Sequence, residues 1–268
     1  MGVIDTCERI ARNLWRVPVL GQLLALDYEQ SFRHRPPNRF RGVFASFAEA
    51  AASLPSGERI GYDYDVMAGM YRARMERACE SDYGPLFWLR GIVSASTHVF
   101  DFGGHVGVSY YGWRSYLAYP PGMRWLVYEV PAIARAGAEL ARERQSDGLH
   151  FTSDLADGRH CNVFLAAGSL QYVDMSLPQI LERVGVYPPH VIVSKVPLYD
   201  GDTFVTVQST GRAFHPYKIE NRGQFLAGMQ SCGYRVVDEW QNREQHCEIP
   251  FTKGRNVEAY SGIYFARD

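Results

Sequence analysis

The sequence predicts an α/β fold: a mostly parallel sheet covered on both faces, closed at one edge by an antiparallel pair of strands and preceded by a helical region. Three observations carry this. From about residue 97 onward, short apolar runs alternate with helix-length stretches. The last two runs, Tyr234–Trp240 and Ala259–Ala266, have no helix between them, so they should pair as an antiparallel hairpin. Before that point the texture is helical and irregular. The expected division is therefore a helical N-terminal cap over 1–95 and a sheet domain over 96–268.

In chain order, 4–26 carries an apolar stripe interrupted at Pro18 and Gly21, which reads as two short helices. The run Arg33, Arg35, Pro36, Pro37, Arg39, Arg41 reads as a basic loop that pairs with local acids or holds a phosphate or carboxylate. Ser46 with Glu49 three residues on has capping-box spacing. A helix is expected over 65–80, with Val66, Met70, Met75 and Cys79 turned inward. Another is expected over 83–93, around Leu86, Phe87, Trp88 and Leu89. The sheet's first five strands are expected at 97–102, 124–130, 149–152, 162–166 and 191–195, with helices at 108–118, 131–145 and 176–185 between them. The stretch 197–220 reads as a loop over the substrate or over a sheet edge. A helix over 221–232, stopped by Gly233, precedes the final two strands.

Composition narrows the function classes. With 268 residues, 46% hydrophobic and 21% charged, the chain can bury a large core. A net charge of −1 gives no electrostatic footprint for nucleic acid. Arg outnumbers Lys by 25 to 3 and is scattered, which reads as genome composition. Five cysteines (Cys7, Cys79, Cys161, Cys232, Cys247) with no CxxC suit neither a disulfide framework nor a zinc site. Free thiols, the absence of a signal-peptide pattern and of any membrane-length apolar run give a cytoplasmic expectation with no membrane span and no metal. The oligomeric state stays open, a homodimer included.

In an open α/β sheet, ligands bind beyond the carboxyl ends of the strands, where strand order reverses. The first strand runs into Asp101-Phe-Gly103-Gly104-His105-Val-Gly107. Gly103 and Gly104 permit a sharp turn with no side chain in the way of a ligand, and Gly107 permits close helix packing. The second strand ends at Glu129-Val130, where a carboxylate can accept from both hydroxyls of a ribose. Asp154 and Leu155 follow the third strand, placed to accept from an adenine amine and to pack on its ring. The fourth strand ends in Gly168-Ser169-Leu170-Gln171-Tyr172, small and polar at its tip. Each acid alone also fits a surface or capping role; their succession at consecutive strand ends points to one nucleoside. A pyrophosphate prefers Gly-x-Gly-x-x-Gly on a helix N-terminus, and Asp101 within the turn would repel it.

Residues Val99-Phe-Asp101-Phe-Gly103-Gly-His105-Val-Gly107 resemble the first motif of the class I S-adenosylmethionine-dependent methyltransferases, with His105 in place of the usual middle glycine. That resemblance covers roughly 97–268. It implies a Rossmann-like sheet of seven strands, S-adenosylmethionine as cofactor, and no metal. A closer resemblance, to a bacterial family of methyltransferase-like proteins, rests on Gly61-Tyr-Asp63, the stretch 100–111, Gly168–Tyr172, 200–206 and 260–265, and in it His105 is normal. These imply the cofactor and do not name the acceptor; the leading reading is methyl transfer to O or N of a small molecule, of secondary-metabolite or polysaccharide type, with S-adenosylhomocysteine as product. Two alternatives stay open. One is ring closure of the cofactor itself to azetidine-2-carboxylate, releasing methylthioadenosine. The other is a nucleoside-binding partner protein without activity.

Four residues are candidates for the reacting centre. His105 flanks the cofactor turn as a base or as an orienting group. Tyr62 lies in the presumed cover beside Asp63. Tyr172 could set an aromatic face against a positive sulfur. His215 lies in the 197–220 insert with Gln208 and Tyr217. Each residue also has an ordinary structural reading, as packing, capping or a core hydrogen bond.

Overall fold

The computed structural model describes residues 18–34, 36–55, 57–64, 67, 69 and 72–267. Helices are α1 (Pro18–Arg33), α2 (Phe47–Ala52), α3 (Tyr83–Ile92), α4 (Val108–Trp113), α5 (Pro131–Glu143), α6 (Leu177–Val184) and α7 (Arg222–Ser231). Strands are β1 (Arg39–Phe44), β2 (His98–Phe102), β3 (Arg124–Tyr128), β4 (Leu149–Thr152), β5 (Val163–Ala167), β6 (His190–Val196), β7 (Leu198–Tyr199), β8 (Phe204–Ser209), β9 (Phe214–Asn221), β10 (Arg235–Asn242) and β11 (Tyr260–Ala266).

The main sheet has seven strands in the order β10-β11-β6-β5-β2-β3-β4. β4, β3, β2, β5 and β6 are mutually parallel, and β11 runs antiparallel to both β6 and β10. The expected parallel sheet with an antiparallel edge is present. Strand alternation divides the core. Val99 of β2 joins Trp125, Val127, Val163, Leu165 and Ile192 under α3, α4 and α5. Phe100 and Phe102 point the other way, into Phe164, Val191 and Val193 beneath α6 and α7. Because strand order reverses between β2 and β5, the loops that follow these two strands diverge and leave a crevice at their carboxyl ends.

Four expectations need correction or restriction. The insert 197–220 is not a loop. It forms β7, β8 and β9, which join β1 in a second sheet of order β1-β8-β9-β7. The basic run is not wholly a loop either: Arg39 and Phe40 pair with Ser209 and Gln208, 170 and 168 residues further along. Arg41 of β1 pairs with Glu29 of α1 at 2.8 Å and with the Ser53 carbonyl at 2.9 Å, so local groups do absorb that charge. Among the described residues, the expected 65–80 helix is replaced by 3-10 turns, one at Arg72–Met75 and another beginning at Glu80. There Asp82 takes the Cys79 backbone N–H at 3.0 Å, a local side-chain bond that competes with helix continuation. Finally, one helix runs through Gly21 where a break was expected, while the 4–17 part of that expectation lies outside the described residues. At Ser46 the hydroxyl accepts from Glu49 N–H as expected, although the Glu49 carboxylate returns to Ala45 N–H rather than to the cap residue.

α1 and α2 cover one face of the second sheet through Phe32, Ala50, Val205, Val207 and Phe214. Its other face presents Phe40, Gln208, His215 and Tyr217 to the crevice. The sheet is thus a wall between two helices and the carboxyl ends of the main strands.

The edge hairpin is fixed by Trp240, which stands opposite Gly262. A Cβ on Gly262 would lie 2.0 Å from the indole, and one on Gly84 of α3 would lie 2.3 Å from it. Overpacking of this kind costs about 1–3 kcal/mol. Gly262→Val should therefore lower the urea midpoint. Adding Trp240→Ala should recover part of the loss, giving a non-additive double-mutant cycle. Strict additivity would mean that this contact does not constrain the hairpin.

Candidate functional site

The crevice is a cavity of about 720 Å3 at the carboxyl ends of β2, β3, β5 and β6, walled by the second sheet. Its floor is built from Asp101. The side chain is buried, and Oδ2 accepts from Trp125 Nε1 at 3.0 Å. Oδ1 is buried with no hydrogen-bond partner. Burial pushes the carboxyl up to about 7, against the opposing pull of the Trp125 bond and the Lys195 charge. The carboxylate lies against Gly104, where a Cβ would stand 2.3 Å from Oδ2. Gly103, at φ +72°, meets Ser169: a Cβ there would lie 2.3 Å from the Ser169 Cβ. Both glycines are therefore required by protein contacts at the strand tips, as well as by the turn itself.

Glu129 latches the turn to the neighbouring strand. Its Oε1 accepts from His105 N–H at 3.1 Å and its Oε2 from Val130 N–H at 2.9 Å. Burial, with Asp101 and Asp63 nearby, pushes this carboxyl up to about 7 against those two bonds. Each oxygen keeps a second lone pair. Beside it, Tyr128 stacks on Phe102 with ring centroids 5.2 Å apart and planes 11° from parallel.

His105 occupies left-handed backbone space at φ 56° and is buried. Its Nε2 lies 3.1 Å from the Met67 carbonyl, which can only accept, so Nε2 carries the proton. Burial pulls its pKa down to about 4, keeping the ring neutral at pH 7. The same segment is pinned twice more. Asp63 accepts from Ala132 N–H at 2.8 Å, capping α5 from across the crevice, and Tyr62 packs on His215 with centroids 4.2 Å apart.

Tyr62, Tyr172 and His215 meet in one aromatic cluster. Tyr172 lies edge-on to Tyr62 at 5.1 Å, to His215 at 5.5 Å and to Tyr217 at 5.2 Å. The Tyr172 hydroxyl donates to Gln208 Oε1 at 2.8 Å, and that of Tyr217 donates to Tyr260 at 2.8 Å. His215 Nε2 lies 3.2 Å from Thr210 Oγ1, whose proton goes to the Ala213 carbonyl. Nε2 therefore donates and Nδ1 is the ring's acceptor, while burial lowers the pKa to about 3.

Of the sequence candidates, Tyr62, Asp101, Gly103, Gly104, His105, Glu129, Val130, Gly168, Ser169, Tyr172 and His215 all line this cavity. Gly107, Asp154 and Leu155 do not. Gly107, at φ 85°, caps α4 against Leu149 and Tyr111. Asp154 caps the following 3-10 turn through Ala156 N–H at 2.9 Å, and Leu155 packs on the α6 side of the core. The sequence reading missed Gln171, Lys195 and Asp82. Lys195 stands at the tip of β6, so the strand-end rule that found Glu129 could have found it. Asp82 reads in sequence as an acid before a helix.

Among the described residues, no cluster of three or more His, Cys, Asp or Glu is placed to hold a metal ion. No helix among them is long and apolar enough to cross a membrane. Cys79, Cys161, Cys232 and Cys247 are free thiols, and Cys7 lies outside the described residues.

No family model and no curated protein matches the chain. Solved structures with a similar backbone include geranyl diphosphate C-methyltransferase from Streptomyces coelicolor A3(2), in complex with Mg2+, geranyl diphosphate and S-adenosyl-L-homocysteine. It is 13% identical, with 89% of this chain and 96% of that chain covered and a TM-score of 0.49. Another is 1,6-didemethyltoxoflavin-N1-methyltransferase from Burkholderia thailandensis, with bound 1,6-didemethyltoxoflavin and S-adenosylhomocysteine, 16% identical over 84% of this chain and 92% of that one, TM-score 0.43. A third is the CcbJ methyltransferase from Streptomyces caelestis, 13% identical over 71% and 97%, TM-score 0.46.

The two raised carboxyls set a pH dependence. A folded-state pKa near 7 against an unfolded value near 4 means that the native state binds more protons between those limits. Their stability contribution is present below about pH 4 and is lost as pH rises through about 7. In ligand-free protein, Asp101→Asn with Glu129→Gln should flatten the fall in urea midpoint between pH 5 and pH 8. An unchanged slope would assign that fall to other groups.

Proposed function

We propose that the chain is an S-adenosylmethionine-dependent methyltransferase acting on an oxygen or nitrogen of a small-molecule acceptor. One observation carries the reading: Asp101 and Glu129, carboxylates at the tips of adjacent parallel strands, line one cavity where strand order reverses. A cavity of about 720 Å3 is large enough for a nucleoside with an amino-acid arm and part of an acceptor. Asp101 Oδ1, buried without a donor, suits an ammonium group and opposes a phosphate. When bound, the cofactor supplies a carbon made electrophilic by the positive sulfur.

The protein's own contribution is positioning and exclusion of water. Glu129 has one lone pair per oxygen left for two ribose hydroxyls. The Phe102–Tyr128 stack offers an apolar wall beside them. The second sheet, with the pinned residues Tyr62, Asp63 and Met67, closes the opposite side. Tyr172, Tyr62 and His215 bound the acceptor's end, where Nδ1 of neutral His215 can accept a hydrogen bond from a nucleophile. The low basicity of both imidazoles favours acceptors that are nucleophilic without a strong base, such as a neutral amine.

Incubation of the pure protein with S-adenosylmethionine, followed by mass spectrometry of the nucleoside, tests the reading. S-adenosylhomocysteine formed only with added acceptors supports methyl transfer. Methylthioadenosine formed without any acceptor would replace it with cofactor cyclisation. Binding with no turnover under both conditions would leave a nucleoside-binding protein. Glu129→Ala should weaken S-adenosylhomocysteine binding by about 1–3 kcal/mol. If the ammonium pairs with ionised Asp101, affinity should rise about tenfold between pH 6 and pH 8, and Asp101→Asn should abolish the rise. A pH-independent affinity in the native protein would remove Asp101 from the binding site.

A further inference from the structure

The cavity has a charged corner that the adenosyl reading does not use. Lys195, the penultimate residue of β6, is buried and holds left-handed backbone space at φ 61°, an unusual conformation for a non-glycine residue. Its Nζ sits 2.8 Å from Asp82 Oδ1, both side chains being 9% exposed. Asp82 is itself fixed, because its Oδ2 accepts from Cys79 N–H at 3.0 Å. Arg74, 4.0 Å from the same Asp82 oxygen, makes a second cation on one carboxylate. Glu244 is engaged by Ser81 N–H at 3.0 Å. An ammonium has three N–H donors, and Asp82 takes one.

Next to it lies an acceptor. Gln171 Nε2 donates to the Gly168 carbonyl at 3.0 Å, which fixes the orientation of the amide. Its Oε1 is then buried with no partner, on a residue that is 4% exposed and lines the same cavity. Gly168 joins the two: the Lys195 stem crosses it, with Cβ and Cδ each 3.4 Å from where a Cβ would be. Composition adds a separate argument. The chain uses Arg 25 times and Lys 3 times, yet a Lys stands here. A compact ammonium can pair with Asp82 and still present donors past Gly168, which a planar guanidinium fork would do less readily.

We infer that Lys195 and Gln171, both beside Gly168, form a receptor for a zwitterionic α-amino-acid group, the ammonium of Lys195 taking its carboxylate and Gln171 Oε1 accepting one N–H of its ammonium, which in the adenosyl case has another N–H for Asp101 Oδ1. Two sources carry that group: the amino-acid arm of an adenosyl cofactor, or an amino-acid acceptor. Only the first source rests on the reading proposed above.

The test uses calorimetry on the full chain. Lys195→Met is paired with Asp82→Asn so that no lone charge is left buried. S-adenosylhomocysteine is compared with methylthioadenosine, which lacks the arm, and L-tyrosine is titrated onto S-adenosylhomocysteine-loaded protein. The expected result is a loss of at least tenfold in the preference for S-adenosylhomocysteine, with methylthioadenosine affinity changed less than twofold. An unchanged preference with L-tyrosine binding lost would assign the receptor to the acceptor. If neither changes, or if both nucleosides weaken equally, the receptor is overturned. Should neither nucleoside bind the native protein, the adenosyl reading fails by itself. L-tyrosine binding to the ligand-free native and variant proteins then decides the receptor: loss in the variant supports it, and equal or absent binding overturns it.

Discussion

The burial of Asp101 is the constraint on which the site depends. A carboxyl at the end of a central parallel strand, out of water, needs a donor, and Trp125 on the next strand supplies one to Oδ2. Its position forbids a side chain at Gly104, so the chain must turn there, and the turn brings His105 N–H to Glu129. The second oxygen is buried without a protein partner, on a residue that lines the cavity. Burying an unpaired acceptor costs free energy that folding alone does not recover, which is why such a group points to a ligand that donates.

The second sheet walls the crevice on one side and leaves a partly open cavity. β8 and β9 form a local hairpin, while the pairing that brings in β1 is remote in sequence: β1 meets β8 at Phe40 and Gln208. Its crevice face carries Gln208, His215 and Tyr217, and its other face rests on α1 and α2. Tyr62, Asp63 and Met67 tie this wall to the main sheet through the Tyr62–His215 stack, the Asp63 cap on α5 and the Met67–His105 bond. The second sheet and these residues therefore set the geometry of that end of the cavity.

The parallel strands were legible because they are short apolar runs separated by amphipathic helices, and four of the strand tips could be placed by counting. The second sheet was not legible. β1 is rich in Arg and flanked by prolines, and its partners lie about 165 residues away, so no local pattern announces the pairing. For the same reason Tyr62, Tyr172 and His215 could be named singly but not seen to meet. Asp154 and Leu155 were read as adenine contacts from strand order alone. The structure uses one to cap a turn and the other in the core, roles that depend on backbone geometry invisible in spacing. Lys195 could be placed at a strand end by counting, but its meaning comes from Asp82, which the 3-10 turn before α3 brings to it.

A crystal structure of the protein with S-adenosylhomocysteine is the most direct test of the account. It should show the ribose hydroxyls on Glu129 and an ammonium proton donated to Asp101 Oδ1, within the cavity at the β2–β5 crossover. Density for the nucleoside elsewhere, or an amino-acid arm directed away from the tip of β2 with Oδ1 still unpaired, would contradict it.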